Sequence, residues 1–367
     1  MSGPGVDTEE QAALRSAVAD LLTKRSDSAA VREAFTSEHG WDPALWSTLV
    51  EQIGVAALSI PEEYDGAGAG WVETHLVCEE LGRRLTPSPF LGSAVLAAHA
   101  VLAAGDADAC ARLLPSIAAG EQAALCWASE SGWATPGVRA TDGRLRGTAH
   151  HVLGGDTAAT LLVVALDGDG VGLFEVPADA DGVSATRVPV MDPTRTTATV
   201  TFDDVAATAI PTRASFLSRL RAAGWAALSA EQVGAARAVL DATVQYTQER
   251  KQFGRVIGSF QALKHRMADM YVEAETARSL SYSAAALVAA ADDDESAYAA
   301  EVEAAAAKVY CSEALQWITG EAIQLHGGVA ITWEYDTHLF FKRAHGTAQL
   351  LGQPHELLAA LETAAGL

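Results

Sequence analysis

Basic residues are scarce in this chain: Lys and Arg number 25 against 47 Asp and Glu, a formal net charge of −22. A field that negative excludes nucleic acid and anionic membranes as partners, because both are gripped by clustered cations. An anionic ligand would need a local basic path against it. Cysteine is scarce as well. Cys78, Cys110, Cys126 and Cys311 lack any C-x-x-C spacing, so neither a metal site nor a disulfide framework is indicated. Each sits among apolar neighbours, as a small buried hydrophobe does. No run approaches the ~20 apolar residues of a membrane span. The start, Met1 to Gln11, has neither the basic nor the apolar segment of a secretion signal. A cytoplasmic location is the default that these absences leave. Repeats and low-complexity tails are missing too. What is there is 367 residues, 49% hydrophobic and 20% charged, enough for two or three packed layers.

Three zones differ in texture, and together they predict an α+β fold that is mostly α. Residues 1–120 read as a helical domain of Ala/Leu/Glu-rich runs, interrupted by the loop Pro61 to Gly70. Residues 121–208 turn to short β runs, a β-sandwich or barrel-like domain. Thr160 to Ala165 and Val171 to Val176 flank the turn signal Asp167-Gly168-Asp169-Gly170, and Ala198 to Phe202 alternates as a half-buried strand. Residues 209–367 are helical again and predict a four-helix bundle. Val233, Ala236, Leu240 and Val244 form one apolar stripe. Leu263, Met267, Met270, Ala274 and Ala277 form a second, and Leu315, Ile318, Ala322 and Leu325 a third. The acidic run Asp292 to Glu295 reads as a solvated loop between helices.

Two bundle segments carry chemistry. One is Glu249-Arg250-Lys251-Gln252-Phe253-Gly254-Arg255, continuing to Gln261; the other is Gln324-Leu325-His326-Gly327-Gly328. Arg250 falls at a helix end, with Gly254 expected to terminate that helix. A guanidinium there can hold a pyrophosphate through two parallel hydrogen bonds. Phe253 offers a flat face to a purine, and Gln252, Gln261 and Gln324 offer amides. Gly327 and Gly328 let backbone N–H groups approach phosphate oxygens. Singly, Arg250 could cap its own helix and the glycines merely end theirs. The set, about seventy residues apart, resembles the signature segments of acyl-CoA dehydrogenases, and the resemblance runs the length of the chain. It implies an FAD shared across a subunit interface, with these residues holding the ADP half of a neighbour's cofactor. It also implies an acyl-CoA substrate and an electron-transfer flavoprotein as acceptor.

The resemblance also shows what is missing. In the family a carboxylate base takes the thioester's α-proton while the β-hydride goes to FAD. One of the two family base positions falls on Leu351, the other on Gly224, with Trp225 beside it. Neither can accept a proton. The segment that covers the flavin ring in the family is eroded here to Ser129-Glu130-Ser131-Gly132-Trp133, and a family Trp-Ile-Thr becomes His151-Val152-Leu153. No residue occupies a recognised catalytic position. The pattern resembles the non-catalytic subunits of bacterial α2β2 acyl-CoA dehydrogenases of steroid side-chain degradation. The expectation is therefore a subunit that completes the FAD site of a homologous catalytic partner. Two other readings stay open: a homomeric enzyme using Glu231, seven residues beyond Gly224 on nearly the same helix face, or a non-enzymatic acyl-CoA-binding homologue.

Overall fold

A computed structural model describes residues 7–365 of the chain. Helices α1 (Glu9–Arg25), α2 (Ser28–Thr36), α3 (Pro43–Thr48), α4 (Trp71–Arg84), α5 (Ala98–Ala104) and α6 (Ala107–Ala118) come first. A π-helical stretch, Phe90–Ala97, leads into α5. Local chemistry starts several of these helices. Thr8 and Gln11 form a reciprocal capping box on α1, and Asp27, Asp42 and Asp106 accept from backbone N–H groups at the starts of α2, α3 and α6.

The strands follow: β1 (Ala123–Cys126), β2 (Ala128–Ser129), β3 (Gly132–Pro136), β4 (Val138–Thr141), β5 (Arg144–Leu153), β6 (Thr160–Asp167), β7 (Gly170–Pro177), β8 (Val183–Arg187), β9 (Thr197–Ala206) and β10 (Thr208–Ile210). Eight form one sheet in the order β10-β7-β6-β4-β5-β9-β8, with β1 also on β6; β2 and β3 form a separate hairpin. The Asp167–Gly170 turn does join an antiparallel pair. The apolar run of β6 is buried on both faces. Leu162 and Val164 pack into the helical core, while Leu161, Val163 and Ala165 join Leu145, Val200 and Phe202 in a core made by the β zone alone.

The last zone holds α7 (Phe216–Glu249), the ribbon β11 (Lys251–Gln252) and β12 (Arg255–Val256), α8 (Gln261–Ala290), α9 (Asp294–His326), α10 (Thr337–Gln349) and α11 (Pro354–Ala365). The three apolar stripes meet as expected: Ala236, Leu240, Met270, Ala274, Leu315, Ile318 and Leu325 share one core. The acidic run divides, with Asp293 capping α9 and Asp294 and Glu295 in its first turn. Helices α4 and α7 cross at glycines. A Cβ on Gly82 would sit 2.2 Å from the Glu231 carbonyl oxygen, and one on Gly234 would sit 1.9 Å from that of Glu79. This contact fixes the height of α7, and hence of Gly224 and Glu231, against the N-terminal helices.

Candidate active site

The two base positions, far apart in sequence, face each other. An ideal Cβ built on Gly224 would lie 2.3 Å from Cδ1 of Leu351 and 3.1 Å from Cδ2 of Leu96. Leucine therefore fills the volume that a side chain on α7 would need. Trp225 closes it further by donating its Nε1–H to the Leu351 carbonyl at 2.8 Å, fully buried. Leu351 holds a left-handed backbone at φ 57°. Residues Trp225 and Leu351 are 6% exposed each. Beside this plug a cavity of about 280 Å³ is lined by Trp127, Trp133, Arg221, Glu301 and Leu357 among others. Trp133, which the sequence places where the family has a small residue, packs edge-on against Trp127 at 6.2 Å, and Arg221 stands 5.7 Å above Trp127. Two carboxylates line that cavity: Glu301 is paired with Arg221 at 3.2 Å, and Glu356 accepts from the Gln353 backbone N–H at 2.8 Å.

Glu231 is 5% exposed and is bound by the guanidinium of Arg195. Arg195 reaches it from the loop between β8 and β9, which also carries Asp192. Asp192 is ion-paired with Arg343 of α10 at 2.6 Å, and Arg195 lies 3.9 Å from it. Burial would raise the Asp192 carboxyl, but Arg343 and Arg195 outweigh it and hold it below the usual range. Glu231 is thus one corner of a buried four-charge network rather than a free base. That network escaped the sequence reading because the loop residues 188–196 have no periodicity. His151 is exposed, at φ 55° on a bulge of β5 against β9. Partial burial, then His150, pushes its pKa down.

The other motif residues gather at the opposite kind of site, an open edge. Arg250 caps α7 in an extended conformation, and the chain then makes a two-residue hairpin with Phe253 (φ 53°) and Gly254 (φ 79°) at its tip. Gly254 therefore turns the hairpin rather than ending the helix, which stops at Glu249, five residues earlier, because the ribbon pairs Lys251 with Val256 and Gln252 with Arg255. Phe253 is 92% exposed. Arg250, Gln252 and Gln324 are exposed and make no side-chain hydrogen bond among the described residues; Gln261 bonds His265 at 2.9 Å. Cβ atoms at Gly327 and Gly328 would meet nothing within 4 Å. The two motifs are locked together by Tyr246, one turn before Arg250. Its ring stacks on buried His326 at 4.3 Å, and its hydroxyl donates to the His326 carbonyl at 3.2 Å. From Arg250 to Ala268 the chain carries Arg250, Lys251, Arg255, Lys264 and Arg266 and no acid, a basic island in an acidic protein.

Known proteins resemble this chain along most of its length. The model of the acyl-CoA dehydrogenase N-terminal domain matches residues 8–121, and that of the C-terminal domain matches residues 221–354. The acyl-CoA dehydrogenase IpdE2 of Mycolicibacterium smegmatis is 42% identical over 97% of this chain and 98% of its own length. The chain belongs to the acyl-CoA dehydrogenase family. Its enzymes are FAD-dependent oxidoreductases. Among solved structures, the Tcur3481–Tcur3483 steroid ACAD superposes with a TM-score of 0.88 at 30% identity, covering 97% of each chain. The ChsE4–ChsE5 complex of Mycobacterium tuberculosis superposes with a TM-score of 0.89 at 26% identity, covering 98% of each. The residues present fit half of an FAD site. Open glycines, an uncommitted guanidinium and an exposed aromatic ring suit a nucleotide diphosphate, whereas the space directly against Gly224 is taken by Leu351 and Leu96.

Among the described residues no helix is long and apolar enough to cross a membrane.

Proposed function

We propose that this acyl-CoA dehydrogenase family member is the base-free subunit of a heteromer. It lends Arg250, Gln252, Phe253, Gln261, Gln324, Gly327 and Gly328 to the FAD of a homologous, base-bearing partner. The observation that carries the reading is the packing of Leu351 onto Gly224: the residue at one family base position takes the side-chain space of the other. The exposed, basic hairpin edge gives the complementary support, since Arg250, Gln252 and Gln324 make no side-chain hydrogen bond among the described residues. FAD, when bound, accepts the hydride that leaves the acyl chain. This chain's share is to grip the diphosphate with Arg250 and the Gly327–Gly328 backbone, and to cover the adenine with Phe253. Glu231, already held by Arg195, takes no proton from the thioester. The likeness to the Tcur3481–Tcur3483 steroid ACAD supports a steroid-derived acyl-CoA as the complex's substrate, and an electron-transfer flavoprotein is the acceptor.

Expression of the chain alone, and together with a homologue carrying Glu or Asp at a family base position, tests this. Flavin absorbance and thioester turnover are expected only for the pair, and Arg250→Ala in the pair should strip the flavin. A lone chain that is yellow, turns over acyl-CoA and loses activity on Glu231→Gln would overturn the reading.

A further inference from the structure

Helix α7 borders a second cavity besides the one next to Leu351. Arg221 and Trp225 face the pocket. On the other side of the same turn, Ala222 and Ala223 line a separate cavity of about 230 Å³, bounded also by α5, the end of α8 and the start of α9. Its walls are largely alanine, including Ala103, Ala297 and Ala300, so small residues keep open a space that larger ones would fill. The rim reaches solvent at Ala289. Polar groups converge at one end. His99 Nε2 and Ser59 Oγ are bonded at 3.0 Å, and Trp71 stands edge-to-face with His99 at 4.6 Å. Trp71 is 4% exposed and its buried Nε1–H has no acceptor.

A buried donor without an acceptor among the described residues, lining a cavity walled largely by alanine, asks for an oxygen from outside the protein. Charge is not asked for. Arg219, which also lines the cavity, already donates to Ser215 Oγ at 3.0 Å and to the carbonyls of Ala291 and Asp293 at 2.8 Å each. Burial holds the His99 ring neutral, with its pKa down at about 4.

We infer that this cavity binds an uncharged, mainly alicyclic or aliphatic small molecule bearing a ketone or hydroxyl oxygen, which accepts from Trp71 Nε1–H beside Ser59 and His99. The site is separate from the thioester pocket and does not rest on the heteromer reading. A bound ligand touches Ala222 and Ala223, the two residues before Gly224, so it abuts the helical turn that carries the plug.

The test uses the full chain labelled with 15N at tryptophan, the Trp71 indole resonance being assigned by its loss in Trp71→Phe. Cyclohexanone, methylcyclohexane and cyclohexanecarboxylate are titrated in turn. Cyclohexanone should shift the Trp71 resonance saturably and bind about fivefold more tightly than methylcyclohexane, the increment of one net hydrogen bond. The carboxylate should not bind. In Trp71→Phe, followed on neighbouring indoles or by calorimetry, ketone and hydrocarbon should bind equally. Ala300→Leu should abolish binding of both. The absence of a saturable shift, or equal affinity for ketone and hydrocarbon in the unaltered chain, would overturn the inference, because the indole would then be satisfied by the His99 ring face. Binding of the carboxylate as tight as that of the ketone would overturn it as well.

Discussion

At the scale of single residues, the closed pocket is a matter of one absent and one present side chain. Gly224 lies inside a long helix, where alanine would ordinarily be favoured by about 1 kcal/mol. Here the added Cβ would meet Leu351 Cδ1 at 2.3 Å, and overpacking of that kind costs about 1–3 kcal/mol. Gly224→Ala should therefore destabilise the chain by about 1 kcal/mol in urea unfolding. In a Leu351→Ala background the same substitution should instead stabilise it by about 1 kcal/mol, since the obstacle is gone. If the sign does not reverse, Leu351 is not what keeps Gly224 a glycine. Lys308 makes a second residue-level case. It is fully buried, donates to Ser312 Oγ at 2.9 Å, has the Ala348 carbonyl at 3.4 Å, and meets no carboxylate. Burial pulls its pKa down to about 7 from 10.5. Between those values the unfolded chain holds a proton that the folded chain lacks, so stability should climb as pH rises through that window and stay at its lowest below it. Lys308→Met should flatten this slope and gain a few kcal/mol (order of magnitude) near neutral pH. An unchanged difference in urea midpoint between about pH 7 and about pH 9.5 would refute it.

Among elements, the β11–β12 ribbon carries a backbone cost at its tip, against which Phe253 gains an edge-on contact with Phe260 at 6.3 Å. Phe253 sits at φ 53°, a conformation costing a bulky L-residue on the order of 1–2 kcal/mol, while its ring is 92% exposed. Glycine would relieve the strain. Phe253→Gly should leave the lone chain equally or more stable in thermal unfolding, yet weaken FAD retention by the heteromer, where one aromatic-on-base stack is worth about 1–3 kcal/mol. A variant complex that keeps its flavin through dialysis as well as the parent would show that the tip does not cover the adenine. This edge was legible in the sequence because each of its parts is local. Arg250, Phe253 and the Gly327–Gly328 pair are displayed by short segments whose chemistry depends little on the rest of the fold. The stripes of α7, α8 and α9 were legible for the same reason, as periodicity. What was not legible depended on distant partners. Gly254 reads as a helix stop until Lys251 is seen paired to Val256. The loss of both base carboxylates was visible, but not that Leu351 and Gly224 occupy one space. Tyr246 carries no motif, and only the fold stacks it on His326 and so sets the distance between the two signature segments.

Across the whole molecule, the β zone is pinned to the bundle by the network of Asp192, Arg195, Glu231 and Arg343. Its two cations and two anions come from the loop before β9, from α7 and from α10. As a unit it is neutral, and Thr194 adds bonds to both Asp192 and Arg343. Removing a single member leaves the buried network with an unbalanced charge. Arg343→Met should cost about 3 kcal/mol by leaving Asp192 only the more distant Arg195 and the Thr194 bonds, and Asp192→Asn with Arg343→Met should return much of that loss. Because the Asp192 carboxyl is depressed, its contribution is present above its ordinary pKa and is lost as pH falls through the folded value. Acid should therefore loosen the β zone from the bundle in the parent, and less so in the double variant, as followed by intrinsic tryptophan fluorescence. Glu231 can be separated from the others. Its loss in Glu231→Gln still leaves Arg195 beside Asp192, so the destabilisation should be smaller than that of Arg343→Met. Turnover per bound flavin in the heteromer, measured where the complex is fully folded, should stay within about twofold of the parent, the change expected when a residue only positions its neighbours. A drop of about a hundredfold in kcat with flavin content and unfolding midpoint unchanged would make Glu231 the proton acceptor, and this chain a catalytic subunit in its own right.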